Sequence, residues 1–282
     1  MKEQLYITDL DQTLLQPDGT LSPFATRNLN NMIAKGINFT VASARSVVSQ
    51  QIILNKLELK LPVIEFNGSF ISDLKTGTHQ VINQLSPSDL LAAADLFDSK
   101  GLHYFLSTFD GHQDRLYYSR TDNEGEQWYV LDREKAGDRR LTETVDRRNH
   151  FNEMIVCLTV INRIEELEPI ALILEKTGES VEIHIQENQY TPGWYWLTVH
   201  SSKATKDQAI RTLALSVGME NYAITAFGDN TNDLKMLKAA DCGVAVENAL
   251  PPVKAAADKI IGHHRNDSVV RYIAEKNGIE LL

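Results

Sequence analysis

The sequence predicts an α/β fold: a Rossmann-like parallel sheet core wrapped by helices, with an inserted α+β domain. Three observations predict it. An apolar run, residues 5–7, breaks into Asp9-Leu10-Asp11-Gln12-Thr13, and strand and helix patterns then alternate with short connections. That rhythm is lost after Asn67-Gly68 and returns after Tyr190-Thr191-Pro192-Gly193. A second apolar strand, residues 222–227, breaks into Gly228-Asp229-Asn230-Thr231-Asn232-Asp233. The expected division is a core over residues 1–84, an inserted α+β cap domain over 85–190, and the rest of the core over 191–282.

The elements justify this in order. After the Pro17-Asp18-Gly19 turn, Ser22 and Pro23 open a helix, Ala25, Leu29, Met32 and Ile33 keep helical spacing, and Gly36 ends it. Residues 38–42 read as a strand ending in Ser43-Ala44-Arg45, residues 47–56 as a helix, and residues 63–66 as a third strand stopped by Asn67-Gly68. A small hairpin follows around Lys75-Thr76-Gly77. Ser86-Pro87-Ser88 opens a helix closed by Gly101, and residues 103–108 and 115–119 read as strands. The polar stretch 122–150 gives no clear pattern. Residues 154–161 read as a strand, 164–176 as an amphipathic helix ended by Gly178, and 181–185 as another strand. In the returning core, 194–200 is expected as a strand, 205–217 as a helix, and the Gly228 to Asp233 run as the next strand tip.

The totals narrow the function. The chain has 282 residues and 43% hydrophobic content, enough for a substantial core. A net charge of −10 argues against broad binding of nucleic acid or an anionic membrane surface. Cys157 and Cys242 are the only cysteines, too few for a Cys-rich zinc site or a disulfide scaffold. With no signal peptide or membrane-spanning run in view, a cytoplasmic protein without nucleic-acid or membrane partners is expected, as a monomer or weak homodimer.

Two carboxylates one residue apart at a strand tip repel each other, and a hard cation compensates them best. Strand tips of a parallel sheet converge on one edge, so Asp9, Ser43 and Asp229 can share a site. Asp9 with Asp229 makes a cation site of few protein ligands, which suits Mg2+. Ser43, at a strand-to-helix turn, can hold phosphate oxygens, and Lys203 or Lys206 can balance the charge. A carboxylate can attack phosphorus, so Asp9 can be a nucleophile, with Asp11 moving the proton. The plainer alternatives are that Ser43 caps a helix, Asp233 is a helix N-terminal charge, and Arg45 is a surface charge or a phosphate contact. Trp128, Tyr129, Trp194, Tyr195 and Trp196 read as packing within the inserted domain.

These residues resemble the four motifs of the haloacid dehalogenase-like phosphatases: Asp9-Leu10-Asp11-Gln12-Thr13, Ser43, a lysine, and Gly228-Asp229 to Asn232-Asp233, in order along the whole chain. The long insertion resembles that of the Cof-type subfamily with a type IIB cap. The resemblance implies Mg2+ as cofactor and a small phosphorylated metabolite as substrate, sugar phosphates first. It implies Asp9 as nucleophile and metal ligand, and Asp11 as acid/base with its carbonyl on the metal. Leu10, Ser43, Ala44 and Asn232 would bind phosphate, Asp229 would bind the metal, and Asp233 would support the metal shell. Lys206 aligns with the family lysine better than Lys203. Three residues depart from the pattern: Gln12 where Gly is usual, Ser43-Ala44 for Thr-Gly, and Asp207 for the Gly after the lysine. The competing expectations are a phosphosugar mutase of the same superfamily and a non-enzymatic module that holds a phospho-aspartate or senses a metabolite.

Overall fold

A computed structural model describes residues 3–177, 181–188 and 190–282. The chain begins with β1 (Gln4–Thr8), α1 (Pro23–Ala34), β2 (Asn38–Val41), α2 (Val47–Ile53), β3 (Val63–Glu65), β4 (Phe70–Ser72) and β5 (His79–Ile82). The Ser22 hydroxyl accepts from the Ala25 N–H to start α1, as the sequence suggests. There follow α3 (Pro87–Ser99), β6 (Phe105–Phe109), β7 (Asp114–Tyr118), α4 (Glu124–Lys135), β8 (Leu141–Glu143), β9 (Met154–Asn162), α5 (Ile164–Thr177), β10 (Val181–Glu187) and β11 (Tyr195–Ser201). The chain closes with α6 (Lys206–Ser216), β12 (Ala223–Gly228), a 3-10 turn (Thr231–Asp233), α7 (Leu234–Ala239), β13 (Cys242–Val246), α8 (Pro251–Ala256), β14 (Lys259–Ile261) and α9 (Ser268–Lys276). Gly178, the expected end of α5, lies outside the described residues.

Two compact units result: Met1–Val81 with Thr205–Leu282, and Ile82–Ala204. In the first, a five-stranded sheet runs β14-β13-β12-β1-β2, all parallel. The strands are buried on both faces, which is why Leu5-Tyr6-Ile7 and Val244-Ala245-Val246 run on without polar alternation. β1 and β12 are neighbours, with Leu5 beside Ile224 and Thr8 beside Phe227. The chain leaves β1 towards β2 on one side and leaves β12 towards β13 on the other. This is the topological switch point of the sheet, where the crevice beyond the strand C-termini takes ligands. β3 joins an antiparallel three-stranded sheet with β4 and β5 and meets the parallel sheet through an Ala42–Ile64 bridge.

The second unit carries a six-stranded sheet in the order β10-β11-β9-β6-β7-β8. Here the domain boundaries differ from those expected. β11 was expected to belong to the returning core, but it pairs antiparallel with both β9 and β10. The inserted unit therefore runs to Ala204 rather than 190 and begins at Ile82 rather than 85. A strand's own pattern records that it is half-buried, not which sheet it joins. The polar stretch 122–150 contains α4, capped by Asn123 accepting from the Glu126 N–H. Tyr129 on α4 packs against Phe105, with ring centroids 4.5 Å apart, and edge-on to Trp196 at 5.3 Å.

His200 is buried in this unit, and its Nδ1 lies 3.2 Å from the Val156 carbonyl. Burial, and secondarily His184, push its pKa down from 6.5 to about 3. The folded state thus keeps this ring neutral where the unfolded chain protonates it below about 6.5, so the unfolded state binds the extra proton. Stability should fall as pH drops through that window, by up to about 1.4 kcal/mol per pH unit from this group. Denaturant midpoints between pH 7 and 4 should be flatter for His200→Gln than for wild type. Equal slopes would show that His200 carries no such linkage.

Candidate active site

β1 ends at Thr8, and Asp9 follows at once, anchored by its N–H to the Phe227 carbonyl at 2.9 Å. β12 ends at Gly228 and delivers Asp229 beside it. A Cβ at Gly228 would lie 2.5 Å from the Asp233 Cβ, so glycine is required for the chain to fold back here. Asp233 then caps the turn: its Oδ2 accepts from the N–H groups of Asp229 and Asn230 at 3.0 and 3.1 Å. Its Oδ1 accepts from Lys206 Nζ at 2.7 Å, and the same ammonium donates to Asp9 Oδ1 at 2.6 Å. Lys206, the first residue of α6, is 1% exposed, whereas Lys203 is exposed and makes none of these contacts.

The cluster is short of positive charge. One carboxylate oxygen from each of Asp9, Asp229 and Asp233 lies within 4.8 Å of the others, against a single ammonium. Burial raises Asp9 to about 7, with Lys206 opposing and Asp233 and Asp11 adding to the rise. Burial, then Asp9 and Asp233, raise Asp229 to about 8. Burial alone would lower Lys206, but Asp233 and Asp9 outweigh it and hold the lysine above its ordinary range. Thr13 Oγ1 donates to Asp229 Oδ1 at 2.7 Å and aims that carboxylate. All-oxygen donors, close together and mutually repelling, fit a hard divalent cation such as Mg2+.

Asp9 and Asp229 have folded pKa values above the unfolded value of 3.8, so the metal-free fold holds more protons than the unfolded chain between about 4 and 8. Its stability should fall as pH rises through that window. Asp229→Asn should raise the melting temperature in EDTA at pH 8 by a few degrees, roughly 1 kcal/mol or more, and abolish the rise that Mg2+ produces. An Asn variant that is less stable in EDTA and still stabilised by Mg2+ would refute this assignment.

Asp11 sits elsewhere. Strand alternation predicts that Asp9 and Asp11 lie on the same side, but the strand ends at Thr8 and Asp11 lies in a turn. Its carboxylate takes both donors of Arg45, Nε and Nη2, each at 2.7 Å. Arg45 is thus the partner of Asp11 rather than a free surface charge. Gln12 has φ 57°, a left-handed conformation that explains why glycine is usual at this place. Asn248 Nδ2 steadies the Gln12 carbonyl at 2.8 Å.

Ser43 is 1% exposed, and its hydroxyl accepts from the Arg45 N–H at 3.2 Å. It does not cap α2; Ser46 does, accepting from the Ser49 N–H. Ala44, next to it, is exposed, and Leu10 is fully buried with its carbonyl turned to the N–H groups of Thr13, Leu14 and Leu15. Asn232 Nδ2 donates to Asn67 Oδ1 at 3.0 Å. Two contributors gave no chemical signal in the sequence: Asn67, and Glu65, whose buried carboxylate accepts from the Val47 N–H at the start of α2 and from the Ser72 hydroxyl. For Asn67-Gly68 only the turn signal was visible.

A family model of haloacid dehalogenase-like hydrolases matches residues 6–273. The chain belongs to this family. Within it, the long α+β insertion places the chain with the Cof-type members. Among similar haloacid dehalogenase-like proteins is the 5-amino-6-(5-phospho-D-ribitylamino)uracil phosphatase YitU of Bacillus subtilis, 24% identical over 97% of both chains. The pyridoxal phosphate phosphatase YbhA of Escherichia coli is 24% identical over 97% of this chain and 98% of its own. A solved haloacid dehalogenase-like hydrolase from Bacteroides thetaiotaomicron superposes with a TM-score of 0.79 at 23% identity, covering 98% of this chain and all of its own. A sugar phosphatase of subclass IIB has the same fold at a TM-score of 0.74 and 20% identity, covering 99% of this chain and 100% of its own. Among the described residues, no helix is long and apolar enough to cross a membrane.

Proposed function

We propose that this hydrolase is a Mg2+-dependent phosphatase of small phosphorylated metabolites that works through a phosphorylated Asp9. One observation carries the reading: Lys206 Nζ bridges Asp9 and Asp233 at the switch point of the sheet, with Asp229 alongside. Asp9 and Asp229 would hold the cation with the Asp11 carbonyl, and Asp233 would fix the surrounding groups. When bound, Mg2+ supplies positive charge to the phosphoryl oxygens and relieves the repulsion among the carboxylates.

Lys206 keeps an Asp9 oxygen ionised and in place for attack. An Asp9 oxygen bonds to phosphorus as the bond to the substrate's leaving oxygen breaks. Asp11 gives that oxygen its proton, then takes one from the water that attacks phosphorus and frees Asp9. Both Asp11 oxygens rest on Arg45 in this structure, so Asp11 has to leave the guanidinium to deliver a proton. Ser43, Ala44, the Leu10 backbone, Asn232 and Lys206 would bind the phosphoryl oxygens.

The names of the relatives support the substrate class: a ribitylaminouracil phosphate, pyridoxal phosphate and, for a 26% identical relative from Escherichia fergusonii, HMP-PP. Sugar phosphates come first among the expected substrates, in keeping with the subclass IIB neighbour. The test is release of phosphate from an aryl phosphate with Mg2+, followed by a panel of phosphorylated metabolites. Turnover no greater than that of Asp9→Asn would overturn the reading.

A further inference from the structure

We propose that Asn67 is a positioning residue that sets the geometry of the phosphate-binding end of this site, an inference that rests on the phosphatase reading. Three successive residues after β3 have positive φ: Phe66 at 44°, Asn67 at 57° and Gly68 at 117°. Asparagine tolerates the left-handed region, but phenylalanine there is a strained residue that persists only when its surroundings hold it. The surroundings here are three separate parts of the proposed site.

The first is the Ser43 loop. The Asn67 N–H donates to the Ser43 carbonyl at 3.0 Å, and the Phe66 N–H donates to the Arg45 carbonyl at 3.3 Å. The second is the start of α6, which carries Lys206. A Cβ at Gly68 would lie 2.8 Å from the Thr205 carbonyl oxygen and 3.1 Å from the Ala209 Cβ, so the turn packs backbone to backbone against the helix end. The third is the 3-10 turn after β12, reached by the Asn232 to Asn67 bond. Asn67 itself is 3% exposed, so its end of each contact is shielded from water, which constrains its geometry.

The Asn232 bond has a chemical consequence. An amide can present either its NH2 or its oxygen to a ligand. The acceptor at Asn67 Oδ1 takes one Asn232 Nδ2 hydrogen and so fixes which end of the amide is which. The second Nδ2 hydrogen remains to donate to a phosphoryl oxygen. Without that acceptor, the amide can turn its own oxygen to the phosphate, which repels it. Asn67 touches no reacting atom in this scheme; it acts through Asn232 and Ser43.

Asn67→Gly keeps the left-handed backbone and removes only the amide. Inorganic phosphate with Mg2+ is the probe, read as the rise in melting temperature across a phosphate titration, with aryl phosphate kinetics alongside. Asn67→Gly should weaken phosphate binding about tenfold, leave the Mg2+-induced stabilisation unchanged, and lower kcat/KM by a similar factor. Asn232→Ala should weaken phosphate to a similar extent, and the double variant should be no worse than either single one. Phosphate binding by Asn67→Gly equal to wild type, or additive losses in the double variant, would overturn the inference. The two readings fail separately. Absence of turnover in the wild type removes the phosphatase reading, whereas the phosphate titration tests Asn67 regardless of turnover.

Discussion

Asp9→Asn should abolish both turnover and phosphoenzyme formation, a loss on the order of 10^4-fold or more in kcat. The amide has nearly the shape of the carboxylate and can still accept from Lys206, so the fold should survive. In fact, replacing one of three crowded carboxylates removes repulsion, and the metal-free variant should melt no lower than wild type. Asp11→Asn should behave differently. Asp9 can still attack, so a small amount of phosphoenzyme should form with an activated aryl phosphate, whose leaving group needs no proton. Hydrolysis should then stall, with kcat lower by about 10^2 to 10^4-fold. Rapid-quench labelling distinguishes the two. A phosphoenzyme in Asp9→Asn, or equal burst amplitudes in both variants, would refute the division of labour between Asp9 and Asp11.

Lys206→Met is the second large effect, and it strikes fold and activity together. The ammonium is buried between Asp9 and Asp233, bonded to each. Removing one partner of a buried ion pair leaves uncompensated charge and typically costs about 3–5 kcal/mol. Part of that cost should be recoverable: the remaining carboxylates can take up protons, so the variant should regain stability as pH falls from 8 towards 5, or when Mg2+ is added. Activity should drop by about 10^3-fold even at saturating Mg2+, because the charge facing the phosphoryl group is gone. Lys203→Ala, at an exposed position, should change stability by less than about 0.5 kcal/mol. If Lys203→Ala matched Lys206→Met in either measurement, the assignment of the lysine would be wrong.

The parts of this molecule that were readable in the sequence are those encoded locally. Asp9 and Asp229 each follow an apolar strand that stops abruptly, and a strand tip in a parallel sheet is a place for chemistry whatever its neighbours are. Nearness to a helix start leaves both Lys203 and Lys206 open, and only the resemblance to the family's lysine motif favours Lys206. What was hidden depends on distant chain. Asn67 looks like an ordinary turn residue, and its importance comes from Asn232, 165 positions away. Arg45 reads on paper as a surface charge or a phosphate contact, and its pairing with Asp11 depends on where the chain turns past the end of β1. α4 was hidden for another reason: Glu124–Lys135 is polar over most of its surface, and its helical period is weak beside that of α1. β11 reads correctly as a strand, yet its assignment to a sheet depends on β9 and β10.

The pairing of β1 with β12 has a consequence for how the protein is made. Asp9 leaves the ribosome more than 200 residues before Asp229, the carboxylate it must meet. The Ile82–Ala204 unit is continuous in the chain and complete before α6 is translated, so it can fold as it emerges. The first unit has to keep β1 and β2 waiting, two strands of a sheet whose other three, β12, β13 and β14, are still to come. Its contacts are long-range by construction, which slows folding and exposes the Leu5-Tyr6-Ile7 edge in the interval. The apolar strand that carries Asp9 in the finished protein is, during synthesis, a segment without its final neighbour.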